Sequence, residues 1–238
     1  MGKETIFDRY GAITEGRKVF LDSLVPELVE SCGLKTALDV GCGVGAFSKS
    51  LAGYGLGVAA LDARAENIAE AKTRHPEILF SRADVESADV LKFPPADFVL
   101  CFGLLYHLEN PFRAVRHLAA LTNKIMVVES MTIPYALPFA MLYEEPRQED
   151  QSLDYIAFVL SESCLVKMLY RAGFMAVYLP EKLPNHGHFK ESSKERKMRS
   201  VLVASKIKIK KEVLRLVPEP GTVNVWRKPK NLFSSFFK

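Results

Sequence analysis

Leu38-Asp39-Val40-Gly41-Cys42-Gly43-Val44-Gly45-Ala46-Phe47 reads as the end of a strand, a glycine-rich turn and the start of a helix. Alternate glycines let the backbone approach a ligand closely, and the helix N-terminus behind them offers N–H groups that lack a partner within the helix. The loop alone does not name its ligand, because Gly41-x-Gly43-x-x-Ala46 also satisfies the loose dinucleotide fingerprint. Cys42, inside the loop, reads as a small buried residue and not as a nucleophile.

Working outward, short apolar runs alternate with helical stretches. Thr36–Val40, Gly57–Leu61, Ile78–Ser81, Asp97–Phe102 and Lys124–Ser130 are expected strands, and Ala46–Ala52, Ala65–Arg74 and Pro111–Leu121 expected helices. Asp97-Phe-Val-Leu-Cys-Phe102 is continuously apolar after its first residue, as in a strand buried on both faces. Strands alternating with helices at this spacing predict right-handed βαβ units and a mostly parallel sheet. Upstream, residues 14–30 predict an amphipathic helix that Pro26 should break or restart. Downstream, Ser161–Arg171 predicts a helix, and Phe174–Leu179 with Ser200–Ser205 predict an antiparallel hairpin at one edge of the sheet.

Acidic residues fall at successive strand ends. Asp39 precedes the glycines, Asp62 ends the second strand, Asp84 follows the third and Asp97 opens the fourth. In an open parallel sheet such positions converge on the crevice at the carboxyl edge. A carboxylate beside the glycine loop sits awkwardly with a pyrophosphate and suits a ligand carrying an ammonium or sulfonium. At Asp62 a carboxylate can accept both hydroxyls of a ribose.

In this order, Asp39-x-Gly41-x-Gly43-x-Gly45, Leu61-Asp62, Ala83-Asp84 and Asp97–Phe102 resemble the motif set of class I S-adenosylmethionine-dependent methyltransferases. The resemblance covers about residues 35–205. It implies an α/β, Rossmann-like three-layer sandwich with a seven-stranded, mostly parallel sheet and a C-terminal antiparallel hairpin. It also implies S-adenosyl-L-methionine as cofactor, its methionine part cradled by Gly41, Gly43 and Gly45 with Cys42 in the turn, and Asp39 supporting the ammonium. By the same resemblance Asp62 takes the ribose hydroxyls and Asp84 the adenine amino group. Ala63 and Val85 pack on the ring, and the backbone at Phe102 meets the methionine end. No metal is expected.

Leu104-Leu105-Tyr106-His107-Leu108 follows the fourth strand, where this family places substrate-facing residues. His107 is a candidate general base, since its ordinary pKa lies near neutrality; capping the next helix or packing beneath the cofactor is the alternative. Tyr106 is a candidate pocket wall or acid. Glu129, ending the fifth strand, is a further polar candidate at the rim. The apolar, Pro-interrupted stretch 131–143, within an insert over about 131–151, predicts a lid, a substrate wall or a packed insertion. His186 and His188 lie in a glycine-containing loop and read as solvated.

Composition bounds the rest. Of 238 residues 48% are hydrophobic and 25% charged, which excludes a disordered tail protein or a disulfide-stapled miniature. Nothing resembles a signal peptide or an 18-residue apolar span, and four dispersed cysteines read as free thiols, so the expected location is cytoplasmic. The basic charge is concentrated: residues 190–238 carry 14 Lys/Arg against 4 Asp/Glu. The expected organisation is a helical segment at 1–34, the catalytic domain at 35–205 and a loose basic extension at 206–238. The expected acceptor is a small molecule modified on oxygen or nitrogen. RNA bound through basic residues 190–215 is the alternative, as in a tRNA-modifying enzyme. An NAD(P)-dependent oxidoreductase and a non-catalytic cofactor-binding module are rivals from other classes, and oligomeric state is open.

Overall fold

The computed structural model describes residues 11–144, 156–191, 197–209 and 212–221. The glycine turn joins strand β1 (Thr36–Val40) to helix α2 (Ala46–Gly53), with helix α1 (Gly11–Cys32) before them. There follow β2 (Gly57–Asp62), α3 (Ala65–Arg74), β3 (Leu79–Arg82), β4 (Ala96–Phe102), α4 (Pro111–Ala120) and β5 (Thr122–Ile133). Then come β6 (Ala140–Glu144), β7 (Ile156–Ser161), α5 (Glu162–Arg171), β8 (Ala176–Pro180), β9 (Arg199–Ser205) and β10 (Leu214–Val217). The main sheet runs β10-β8-β9-β5-β4-β1-β2-β3. β1 to β5 pair in parallel, whereas β9 runs antiparallel to both β5 and β8.

Strand parity builds the three layers, since successive side chains face opposite sides. Phe98, Leu100 and Phe102 of β4 share a core with Phe20, Leu21, Leu24 and Leu28 of α1, while Val99 and Cys101 join Ala114, Leu118, Leu165 and Leu169 of α4 and α5. Helix α3 packs Ile68 and Ala71 on Ala60 and Phe80.

Three expectations change. Helix α1 runs unbroken through Pro26. That proline is exposed, so the lost backbone bond faces water while Leu24, Val25 and Leu28 hold the buried stripe. The β8–β9 pair is not at an edge, because β10 pairs with β8 on its outer side, and β9 is buried throughout. The extension is not wholly loose: β10 adds an eighth strand to the main sheet, and the Tyr170 hydroxyl donates to the Val217 carbonyl at 2.6 Å. In the insert, β6 and β7 form an antiparallel pair that joins the far end of β5 through Thr132 and Ile133; residues 145–151 lie outside the described residues.

Candidate active site

The carboxyl ends of β1, β2, β3 and β4 open onto one cleft. Its lining includes Gly41, Gly43, Asp62, Ala63, Asp84, Val85 and His107. The structure therefore gathers these seven expected residues, drawn from four separate strand ends.

Asp62 organises the floor. Its Oδ2 accepts the Gly43 N–H at 2.9 Å, and its Oδ1 accepts the Arg64 N–H at 2.9 Å and the Asn67 amide at 3.0 Å. The glycine turn closes back on β2, with the Gly41 and Cys42 N–H groups both donating to the Leu61 carbonyl. Gly41, Gly43 and Gly45 all have positive φ (74°, 53° and 86°), a region that disfavours any side chain. At Gly45 a Cβ would also lie 2.7 Å from the Phe80 ring, so this glycine serves the packing of the turn and is not among the lining residues. Asp84 is half-buried and accepts the Glu86 N–H at 2.8 Å.

Asp39 is placed otherwise than expected. Flanked by Leu38 and Val40 on the opposite face, it points down toward α2, is 1% exposed and accepts the Ser48 hydroxyl at 2.6 Å. It supports the loop from below and does not line the cleft. Burial pushes its pKa up to about 7; the Ser48 hydrogen bond opposes the shift, and the Asp62 charge adds to it. The folded state thus holds a proton that the unfolded state, with a pKa of 3.8, releases. Stability must fall as pH rises between those values, by about 1.4 kcal/mol per unit at the steepest, and level off above the folded pKa. Asp39→Asn is expected to remove this slope. Urea titrations should show the variant gaining about 2 kcal/mol on the wild type between pH 5 and pH 7.

Cys42 and Phe102 are also off the lining. Cys42 belongs to the α3 core, and burial pushes its thiol pKa up, which disfavours the thiolate. The Phe102 ring packs edge-on to Phe47 at 5.5 Å inside the α1 core, so its neighbour Gly103 lines the cleft instead. Tyr106 is buried with its ring 4.1 Å from that of His107, and its hydroxyl accepts from Arg199 at 3.1 Å. That engagement, and its position off the lining, argue against a role as acid. Glu129 is wholly buried between Arg17 and Arg199.

Several lining residues went unforeseen: Arg64, Asn67, Glu86, Glu109 and, from β7, Ile156. Glu86 accepts the Glu109 and Asn110 N–H groups, tying the loop after β3 to the segment before α4. Asn67 had a readable signal, five residues after Asp62 on the first turns of α3; Ile156 had none, because β7 arrives from the far side of the insert. His186 accepts the His188 N–H at 3.3 Å to cap a short turn, and no group of three metal-ligating side chains occurs among the described residues. Within the basic stretch 190–215, Arg199 is buried, Lys197 pairs with Glu162, and Lys206 donates to the Ala119 carbonyl. Among the described residues no helix is long and apolar enough to cross a membrane.

The fold recurs in solved structures. Magnesium protoporphyrin IX methyltransferase from Synechocystis PCC 6803, with S-adenosylhomocysteine bound, matches with a TM-score of 0.58 and 20% identity over 87% of this chain and 90% of that one. An amino pentose methyltransferase from Micromonospora echinaspora, with S-adenosylmethionine bound, matches with a TM-score of 0.59 and 18% identity over 87% and 100%. In sequence, 94 residues are 34% identical to a ubiquinone biosynthesis O-methyltransferase of Coxiella burnetii, covering 37% of this chain and 38% of the relative. The matched region thus spans well under half the length of that relative. Residues 13–179 match the family model described as a methyltransferase domain. That span takes in the glycine turn, Asp62, Asp84, His107 and the strands that present them, and the chain belongs to the methyltransferase-domain family, with the class I fold its motifs predicted.

Proposed function

We propose that the protein transfers a methyl group from S-adenosyl-L-methionine to an oxygen or nitrogen of a small-molecule acceptor. The observation that carries this reading is the Asp62 carboxylate, held by three donors at the cleft floor beside the glycine turn. The fit is chemical. Asp62 can share its lone pairs with ribose hydroxyls, Asp84 can accept from the adenine amino group with Ala63 and Val85 packing on the ring, and glycine is required at the turn. A Cβ at Gly41, for instance, would lie 3.1 Å from Leu104 of the lining. When bound, the cofactor supplies a methyl already activated as a sulfonium. The chain's own task is then to align the acceptor and exclude water, which can provide most of the acceleration. His107 lines the cleft beyond Gly103 and Leu104 and receives the proton released by the acceptor. The small acceptors in the names of the relatives above favour a small molecule over RNA.

Calorimetric titration of the full chain with S-adenosylhomocysteine, with NAD and NADP alongside, tests the reading. Saturable one-site binding of S-adenosylhomocysteine alone is expected. A well-folded sample that binds none, or prefers a nicotinamide dinucleotide, sinks it. His107→Gln is expected to leave S-adenosylhomocysteine affinity within about twofold and to lower turnover about tenfold, below the usual range for a general base because the methyl donor is already activated. Binding without turnover on any acceptor would favour the non-catalytic module.

A further inference from the structure

On the β5–β9 side of the cleft lies a charged cluster that the methyl transfer described above does not use. Arg17, on the buried face of α1, donates to Glu129 at 2.5 Å. Arg199, opening β9, donates to the other Glu129 oxygen at 3.0 Å and to the Tyr106 hydroxyl at 3.1 Å. Glu129 is fully buried and each arginine is 8% exposed. Burial by itself would lower the Arg199 pKa, but Glu129 and Tyr106 outweigh it and hold it raised. A guanidinium stays protonated in proteins, so two cations are set here against the one carboxylate of Glu129.

The cluster thus carries one positive charge in excess where little water reaches. Moreover, the Nε atoms of both arginines are buried and have no hydrogen-bond partner among the described residues. Buried charges are ordinarily paired and buried donors ordinarily satisfied, because leaving either undone is costly. What the arrangement lacks is an anion. A carboxylate fits the edge of a guanidinium with two parallel bonds, and the Tyr106 hydroxyl, accepting from Arg199, keeps its own proton to donate.

Position says whose anion it is. Gly103 lines the cleft, and a Cβ there would lie 3.5 Å from an Arg17 Nη atom and 3.6 Å from the Tyr106 hydroxyl. One glycine therefore adjoins both the cleft and the cluster. In the sheet, β4 lies between β1 and β5. Asp62 and Asp84 belong to the β1 side, and Glu129 and Arg199 to the β5 side. The cluster lies beside Gly103, behind the lining of the cleft and on the side away from the strands that carry Asp62 and Asp84.

We infer that Arg17 and Arg199 form a carboxylate-binding subsite for the acceptor, so that the methylated compound is a small molecule bearing a carboxylate near its nucleophilic oxygen or nitrogen. The word acceptor rests on the methyl-transfer reading; the anion site does not. A second source of the same chemistry is the carboxylate on the methionine part of the cofactor, and the test separates the two.

Calorimetry on the full chain saturated with S-adenosylhomocysteine compares benzoate and acetate with benzamide and acetamide. The carboxylates are expected to bind at least about tenfold more tightly than the amides, as a charged hydrogen-bond pair allows. Arg17→Gln and Arg199→Gln should abolish that preference while holding S-adenosylhomocysteine affinity within about twofold. Glu129→Gln keeps acceptor capacity for the arginines but removes the opposing charge, so it should tighten benzoate binding severalfold, a gain that a misfolded chain cannot produce. Equal or undetectable binding of carboxylates and amides by the wild type overturns the inference. So does a loss of S-adenosylhomocysteine affinity in the arginine variants with 5′-methylthioadenosine unaffected, because that ligand lacks the carboxylate. If S-adenosylhomocysteine does not bind at all, the methyl-transfer reading fails, and benzoate against benzamide on the free protein still decides the anion site.

Discussion

Asp62→Ala is expected to weaken S-adenosylhomocysteine binding by about 100-fold or more. A hydrogen bond to a charged group contributes about 1.5–3 kcal/mol, and a ribose offers Asp62 two hydroxyls, so a loss near 3 kcal/mol is a modest expectation. The substitution also removes the acceptor of the Gly43 N–H, the Arg64 N–H and the Asn67 amide. The turn under the ligand would lose its tie to the second strand as well as its ribose partner. Asp62→Asn separates these effects: one carbonyl oxygen remains for Gly43 or for a hydroxyl, and a loss of about tenfold is expected. Asp84→Ala should cost less than Asp62→Ala, because Asp84 is half-buried and holds only the Glu86 N–H among the bonds described. Calorimetry on the three variants, with circular dichroism to confirm folding, gives the order directly. If Asp62→Ala binds within threefold of the wild type, the ribose assignment is wrong.

How far the site could be read in advance depended on how local its determinants are. The glycine turn, Asp62 and Asp84 each sit at the end of a single apolar run, and each run needed only its own alternation to be recognised. Asp39 carried a further signal. Leu38 and Val40 face one core, so parity alone puts Asp39 on the other side, against Ser48 of α2 and off the lining of the cleft. Arg17 carried a similar signal. It falls on the same helical stripe as Ile13, Phe20, Leu21 and Leu24, and an arginine there must either spoil the buried face or find a buried partner. That the partner is Glu129 could not be read, because the pairing spans 112 positions along the chain and depends on how α1 lies across the sheet. The same holds for β10, which reaches β8 across a loop of ordinary basic composition, and for β7, whose place beside β5 depends on the insert. Local motifs marked the side of the cleft that holds Asp62 and Asp84; long-range pairing built the side that adjoins Glu129 and Arg199.

Removing Glu129 should be far more damaging than removing either of its partners, and the difference tests the charge count of the cluster. With Glu129 present, two cations share one anion. Glu129→Ala leaves Arg17 and Arg199 buried side by side with no opposing charge, a situation that typically costs about 3–5 kcal/mol. In a chain of this size that corresponds to a fall in melting temperature of about 10 °C, at the reported scale of a few degrees per kcal/mol. Arg17→Met keeps much of the apolar stem's packing and leaves a balanced Arg199–Glu129 pair at 3.0 Å. Its expected cost is about 1.5–2 kcal/mol, chiefly the lost hydrogen bond to a charged group. A second comparison sharpens the point. Adding Arg17→Met to Glu129→Ala removes one of the two stranded cations, so the double variant should be more stable than Glu129→Ala alone, although it carries one more substitution. Urea titrations of the three variants measure this. If the costs merely add, the arginines are not held by that shared carboxylate, and the excess positive charge that makes the cluster an anion site is absent.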